Sequence, residues 1–217
     1  MGDYAGVAVA GAGDALSTDG IPDFLVGAYN ADIAYLVNGT DTGTMSLGDA
    51  DARLLGNSGS GAGVSVAGAG DDDGDGYAEI LVGAFTDDSG DGAAYLLDGP
   101  LSGDVTLEDD ADVKFTPENS GESLGSSVVG RFDVDGDGSY DPILSAYAAD
   151  TNGADSGTVY VKLGPNTTDV DLADAEFKLY GENAGDQVYA FGEIPIDLDY
   201  DGYNDVLVCA PNQDDAV

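Results

Sequence analysis

The sequence predicts an all-β fold built from a repeated unit of four strands. Glycine accounts for 34 of 217 residues and separates short runs of Val, Ile, Leu and Tyr. These glycines follow no three-residue period, which excludes a collagen-like chain, and the apolar runs between them exclude a low-complexity linker. A single phrase of strand, acidic loop and strand also recurs four times along the chain. Regularly spaced short strands separated by turn residues are typical of all-β repeat architectures.

The repeated phrase is clearest at 62–85 and returns at 5–29, 124–147 and 188–211. Within it, an Asp-Gly step recurs at 19, 75, 137 and 201. The sequence therefore predicts one domain over 1–217, divided into repeats at about 1–56, 57–118 and 119–181 and an incomplete one at 182–217. Further apolar runs predict third strands at 33–37, 93–97 and 158–162, and fourth strands at 52–55, 112–115 and 176–180. Four strands per period predict a partial β-propeller of three to four four-stranded blades.

Three of the acidic loops carry Asp at loop positions 1, 3 and 5, Gly at 6 and Asp or Glu at 9. Calcium takes six to eight oxygen ligands, which alternating carboxylates of a tight loop and one main-chain carbonyl can supply. We expect calcium-binding loops between blade strands, with residue 7 as the carbonyl donor by analogy with the helical calcium loop. The predicted ligands are Asp71, Asp73, Asp75, Tyr77 and Glu79; Asp133, Asp135, Asp137, Ser139 and Asp141; and Asp197, Asp199, Asp201, Tyr203 and Asp205.

The first loop fits this pattern less well. Its candidates are Asp14, Asp19 and Asp23, but Asp14 lies five residues before Asp19 instead of four, and loop position 3 falls near Leu16 or Ser17. It is a doubtful fourth calcium site. The alternative for all four loops is a solvated acidic turn, although an Asp-rich chain of this length produces the full pattern by chance only roughly 0.03 times.

The charge balance narrows the choice of partners. Asp and Glu number 43, Lys and Arg number 5, and His is absent, which gives a formal net charge of -38. Such a surface repels nucleic acids and anionic membranes. It is typical of adaptation to high salt, where a Debye length of about 3 Å at 1 M screens carboxylate repulsion. We expect a halophilic archaeal or bacterial source, and no direct membrane insertion because apolar runs stay far below about 18 residues.

The residue types disfavour an enzyme. Without His, neither Cys209 nor any Ser has the usual general base, and Cys209 fits a small-residue position after a strand. Residues 1–4 lack the basic and apolar regions of a signal peptide, so we expect no leader within this chain. Acceptor patterns for N-glycosylation at Asn38 and Asn166 agree with an extracellular or cell-surface location.

The order of strand, Asp-x-Asp-x-Asp-Gly-x-x-Asp loop and apolar triplet resembles the FG-GAP repeat of integrin alpha-chain propellers. The Phe-Gly of that family corresponds here to Ala5-Gly6, Ala62-Gly63 and Leu124-Gly125, and the resemblance covers essentially the whole chain. It implies blades that close a seven-membered ring, with calcium loops on the face opposite the usual ligand-binding face. Four openings do not close that ring, so further blades from a longer chain or a second chain are expected.

The resemblance implies a calcium-binding cell-surface or secreted module for adhesion or for binding protein or glycan, and not an enzyme. The alternative is a non-catalytic propeller domain of a larger secreted enzyme of the polysaccharide lyase or lipase type. A third hypothesis, closely spaced calcium loops resembling dockerins or thrombospondin type 3 arrays, is disfavoured by the long repeat period. No residue pattern names the ligand.

Overall fold

The computed structural model of the chain, which describes residues 2–192, 195 and 197–213, confirms the predicted all-β class. Its helical elements are single turns at Tyr29–Ala31, Leu47–Asp49, Asp87–Gly90, Leu107–Asp110 and Leu172–Asp174. None of the described helices is long and apolar enough to cross a membrane. The strands form four sheets that follow one another along the chain.

Each of the first three sheets is an antiparallel arrangement of four strands in chain order. The first contains β1 (Val9–Gly13), β2 (Asp23–Ala28), β3 (Ile33–Val37) and β4 (Ala52–Leu55); the second contains β5 (Ala62–Gly70), β6 (Glu79–Ala84), β7 (Ala93–Leu97) and β9 (Val113–Thr116); the third contains β10 (Leu124–Val129), β11 (Ile143–Ala146), β12 (Thr158–Val161) and β14 (Phe177–Tyr180). The fourth consists of β15 (Tyr189–Ala190) and β16 (Val208–Cys209). The strands thus lie where the apolar runs predict them.

Two further strands link one sheet to the next. β8 (Gly103–Thr106) lies in the second repeat but pairs in parallel with β4, and β13 (Val170–Asp171) lies in the third repeat but pairs in parallel with β9. We call β8 and β13 the cap strands, because each adds to the outer edge of the preceding sheet. The sequence did not predict them.

The core consists of three apolar clusters, one between each pair of neighbouring sheets. β6 illustrates how one strand contributes to two clusters. Ile80 and Val82 belong to the cluster shared with the first sheet, whereas Leu81 belongs to the cluster shared with the third. Successive side chains of a strand point to opposite faces, so a central strand that is apolar throughout can serve two interfaces. The third cluster joins β11 and β12 to Val188 and Ala190 of the fourth repeat.

Neighbouring sheets also touch through their backbones. A Cβ atom added at Gly27 would lie 1.9 Å from the carbonyl oxygen of Gly63, and one at Gly83 would lie 2.0 Å from that of Gly125. The third sheet has Ser145 at this position, where its hydroxyl accepts a hydrogen bond of 2.9 Å from the N–H of Ala190. Glycine is needed at the first two positions because the backbone of the next sheet occupies the space of a side chain.

We expect Gly83→Ala to lower the free energy of unfolding by about 1–3 kcal/mol or more, because the added methyl meets backbone that cannot move aside cheaply. Urea denaturation in molar NaCl measures the change. Gly11→Ala is the matched control, since Gly11 also lies in a strand and nothing lies within 4 Å of its added Cβ. An equal effect of the two substitutions would contradict the proposed steric limit.

Candidate metal centres

The structure gathers acidic side chains in three of the four predicted loops. Each loop joins the first strand of a sheet to the second, so each lies at the same end of the first strand of its sheet. In each loop, one carboxylate oxygen from loop positions 1, 3 and 9 lies within 4.8 Å of the other two. These clusters, which we call the acid triads, are Asp71, Asp73 and Glu79; Asp133, Asp135 and Asp141; and Asp197, Asp199 and Asp205.

The carboxylate at loop position 1 organises the turn. In the second repeat, Asp71 accepts hydrogen bonds from the N–H groups of Gly74 and Gly76, at 2.8 and 3.1 Å. Asp133 accepts the same pair in the third repeat, at 2.6 and 3.1 Å. Glycine is required at loop position 6 because φ there is +96° at Gly76, a left-handed value that residues with a side chain rarely adopt.

The residues at loop positions 5 and 7 lie next to the triads without joining them. Asp75 accepts a hydrogen bond of 2.8 Å from the N–H of Tyr77, and the pairs Asp137 with Ser139 and Asp201 with Tyr203 repeat it at 2.7 and 3.0 Å. The carboxylate at position 5 thus shapes the turn. Its role as a ligand, and that of the carbonyl at position 7, stay predictions.

The residue at loop position 9 is the buried member of two triads. Glu79 is 4% exposed and Asp141 is 1% exposed. Glu79 accepts a hydrogen bond of 2.8 Å from the N–H of Asp72, while Asp141 accepts one of 2.7 Å from that of Val134. In the fourth repeat Asp205 accepts a bond of 2.6 Å from the N–H of Leu198. These bonds point one carboxylate oxygen into each loop.

Burial and like charge strain the triads electrostatically. Burial is the main cause that raises the pKa of Glu79 from 4.5 to about 7, with smaller contributions from the negative charges of Asp98 and Asp73. Burial also raises the pKa of Asp141, to which Asp135 and Asp133 add. Burial and the nearby Asp112 raise the pKa of Asp98 to about 6. A cation in the loop would favour the charged forms and relieve this cost.

The first loop does not bring Asp14, Asp19 and Asp23 into a triad. Asp23 is buried and accepts hydrogen bonds of 3.0 and 2.8 Å from the N–H groups of Ala15 and Leu16. Among the described residues, however, Oδ1 of Asp14 and the hydroxyl of Ser17 are both buried without a hydrogen-bond partner. Orphaned buried oxygens are rare and need an explanation such as an ion or a water. Ser17 is therefore a candidate metal ligand. The spacing of the acidic residues did not identify it, although it lies near loop position 3.

Arg131 lies among the loops. A Cβ atom added at Gly13 would lie 2.6 Å from its Nη2 atom, and a cavity of about 550 Å³ is lined by Arg131 together with Asp14 and Asp71. The four other cations, Arg53, Lys114, Lys162 and Lys178, form salt bridges elsewhere in the chain. The sequence motifs did not identify Arg131, which lies two residues after the end of β10 and carries no motif of its own.

A groove of about 590 Å³ lies along the first strands of the sheets. Its walls include Val7–Val9, Val64–Val66 and Ser126–Val129, with Tyr189 and Phe191 from the fourth repeat. In a chain with 43 acidic residues, no Asp or Glu is among the described residues that line this groove. The lining of this groove is therefore uncharged, in contrast to the acidic loops.

Comparison with the models of known protein families and with curated protein sequences finds no match for this chain.

We expect the cation-free protein to lose stability as the pH rises from about 4.5 to 7. Because the folded pKa of Glu79 is raised, the folded state holds more protons than the unfolded state in this window, so the free energy of unfolding falls with pH. Asp98 and Asp141 act in the same direction. Urea midpoints between pH 5 and 8, in chelator and molar NaCl, measure the slope.

Glu79→Gln should reduce that slope, since the amide keeps a hydrogen-bond acceptor for Asp72 and does not titrate. Glu182→Gln is the control, because Glu182 is exposed and outside the triads. A slope that Glu79→Gln leaves unchanged would show that the triad of the second repeat does not set the pH dependence.

Proposed function

We propose that the chain is a calcium-stabilised β-propeller segment of the FG-GAP type that works as an extracellular binding or adhesion module. The observation that supports this most strongly is the recurrence of one acid triad at the same place in three successive sheets. Solvation of an acidic surface does not explain why loop positions 1, 3 and 9 come together three times. A structural cation would explain it, because its ligands must converge on one centre.

The donor set favours calcium among the common metals. Each loop offers carboxylate oxygens and main-chain carbonyls, the chain contains no His, and its single Cys lies on β16 after the fourth loop. Hard oxygen donors suit calcium and magnesium, not zinc or copper. Five predicted protein ligands per loop suit the six to eight ligands of calcium, whereas magnesium retains several waters and needs a strict octahedron.

The arrangement of the strands supports a propeller. The first strand of every repeat lines the same groove, and each four-stranded sheet packs face to face on the next. This is how the innermost strands of propeller blades surround a common axis. On this hypothesis β1, β5, β10 and β15 are the inner strands of four successive blades, with the acidic loops at one end of the axis.

Binding, and not catalysis, is the activity that the site favours. Apart from carboxylates that a cation would engage, the acid triads place no nucleophile and no general base of neutral pKa beside a substrate cavity. The groove is lined by uncharged residues, so a neutral protein segment or glycan would meet no carboxylate within its lining. We place the ligand-binding face at this groove. The net charge implies a molar-salt environment, which we place outside the cell.

Calcium should bind the chelator-stripped protein at three sites or, if Asp14 and Ser17 complete the first loop, at four. In molar NaCl, calcium at about 100 times its dissociation constant should raise the free energy of unfolding by about 2.7 kcal/mol for each occupied site. Asp135→Ala should remove one site and that share of the stabilisation. Calorimetric titration counts the sites, and urea denaturation with and without calcium measures the energy.

Asp41→Ala is the control for that experiment, because Asp41 is exposed and lies outside every acid triad. Magnesium at the same concentration should stabilise less. If Asp135→Ala binds as many calcium ions as the parent chain, or if calcium leaves the urea midpoint unchanged, the metal assignment fails.

Salt should stabilise the protein even with calcium present. Lowering NaCl from molar to about 0.1 M lengthens the Debye length from about 3 to about 10 Å, and unscreened repulsion among the carboxylates then disfavours the compact state. Thermal melting followed by circular dichroism should show a lower midpoint in dilute salt. A midpoint that does not respond to NaCl would mean that the acidic surface is not a salt adaptation.

A further inference from the structure

Two segments with the N-glycan acceptor pattern Asn-x-Thr follow third strands of the sheets. Asn38-Gly39-Thr40 comes directly after β3, and Asn166-Thr167-Thr168 lies between β12 and β13. A glycan is a bulky group, so its attachment needs an asparagine on an accessible turn of the folded chain. The two segments share the pattern, but the structure places their asparagines in different surroundings.

Hydrogen bonds hold the turn at Asn38 through its backbone and its Oδ1 atom. Oδ1 accepts bonds from the N–H and the hydroxyl of Thr40, at 2.8 and 2.6 Å. The N–H of Asn38 donates a bond of 3.1 Å to Asp51, and that of Gly39 donates one of 3.1 Å to the buried Asp23. Within the described residues, the Nδ2 atom of Asn38 has no hydrogen-bond partner and is not buried. Nδ2 is the atom to which an N-linked glycan is attached.

The exposure of this turn is a property of the repeat and does not depend on what precedes the first sheet. Asn38 and Gly39 are half-buried and Thr40 is exposed. The equivalent residues 98–100 and 163–165, which also begin three residues after the tyrosine of a third strand, follow the same order. In the second and third repeats a preceding sheet is packed in place. The turn therefore stays accessible beside a neighbouring sheet.

Asn166 lies in a more confined position. It is the counterpart of Leu101, which is 8% exposed in the apolar cluster between the first two sheets. Asn166 is half-buried and lines a cavity of about 20 Å³ together with Glu79, Leu81 and Tyr140. A cavity of this size has room for about one water. A glycan on Asn166 would therefore disturb the contact between the second and third repeats.

We propose that Asn38 is a glycan-attachment site of this chain and that Asn166 is not. Attachment at Asn38 rests on the proposed extracellular location, because N-linked glycans are added to secreted and surface proteins. In the transfer, Nδ2 of Asn38 forms a bond to C1 of a glycan carried on a polyprenyl diphosphate. The bond between C1 and the diphosphate oxygen breaks, the diphosphate leaves with the electron pair, and Nδ2 gives up one proton to a base of the transferase.

The attachment point lies beside the first loop. Because β2 and β3 are antiparallel, the end of β3 lies next to the start of β2, and a Cβ atom added at Gly39 would lie 2.0 Å from the carbonyl oxygen of Pro22. Asn38 is not among the described residues that line the uncharged groove. A glycan at Asn38 is therefore attached outside the face that we assign to ligand binding.

The test is glycan transfer to the folded chain in molar NaCl and calcium, by a salt-tolerant oligosaccharyltransferase supplied with a polyprenyl-diphosphate-linked glycan. Mass spectrometry of the intact protein and of its proteolytic peptides should show one glycan, on Asn38. Thr40→Ala should lower the modified fraction at least about tenfold, because the acceptor pattern needs the hydroxyl, and Thr40→Ser should restore transfer. Asn166→Gln is the matched control and should leave the modified fraction unchanged.

Unfolded peptides separate the effect of the fold from that of the pattern. Peptides of residues 35–43 and 163–171 should both accept the glycan, since neither is confined by a sheet. Absence of transfer to Asn38 in the folded chain, while peptide 35–43 is modified, would overturn the attachment site whatever the location of the protein. Equal modification of Asn38 and Asn166 in the folded chain would overturn the distinction between the two turns.

Fractionation of the source cells tests the location separately. Protein found outside the cell with a glycan on Asn38 is the expected result. Protein found outside the cell with Asn38 unmodified would overturn the attachment site. Protein confined to the cytosol would instead overturn the proposed extracellular location, on which attachment rests.

Discussion

The distance between neighbouring sheets is set where backbone meets backbone. At Gly27 and Gly83 the carbonyl of the following sheet occupies the volume that a Cβ would need. This contact brings the first strand of each repeat against the second strand of the repeat before it. Because the acidic loops leave the ends of those first strands, the close approach also brings the loops together at one end and aligns the first strands along the uncharged groove.

Charge is distributed in a way that makes this geometry costly without a cation. Four of the five basic residues lie on, or directly after, third or outer strands and form salt bridges there. At the loops, Arg131 is near Asp14 and Asp71, while the triads hold their carboxylates with N–H groups of their own turns. Backbone donors orient a carboxylate but do not cancel its charge, so three converging carboxylates remain a site of strong negative potential.

The strands and the loops could be predicted from the sequence because both depend on local pattern. Apolar runs mark β6 and β7, and the spacing of Asp71, Asp73 and Glu79 follows from the turn that joins two strands. The cap strands could not be predicted in this way. β8 reads Gly-Asp-Val-Thr, an acidic stretch with one apolar residue, and its partner β4 belongs to the preceding repeat. Only the comparison of 103–107 with 169–172 shows a shared pattern, and it does not reveal the partner.

The candidate role of Ser17, and the two roles of the loop aspartates as triad members and as turn-forming residues, could not be predicted for a different reason. Spacing identifies which side chains can reach a common point, but not which oxygens are already bonded. In the third repeat, Asp137 meets the spacing rule yet accepts the N–H of Ser139, while the buried hydroxyl of Ser17 fails the rule yet has no bond within the described structure. The hydrogen-bond inventory of a loop therefore reveals candidates that spacing misses, although one carboxylate can both shape the turn and belong to a triad, as Asp71 and Asp133 do.

The loops are also bonded to one another, which ties each triad to the next repeat. The N–H of Tyr140, beside the triad of the third repeat, donates a bond of 2.9 Å to Asp72 in the second loop, and the N–H of Asp133 donates one of 3.0 Å to Asn204 in the fourth. In a repeat array the stability of one unit depends on its interfaces with its neighbours. A cation that fixes Asp133 therefore also helps to fix Asn204, its hydrogen-bond partner in the adjoining loop. The sites are chemically separate, but they order a single edge of the molecule.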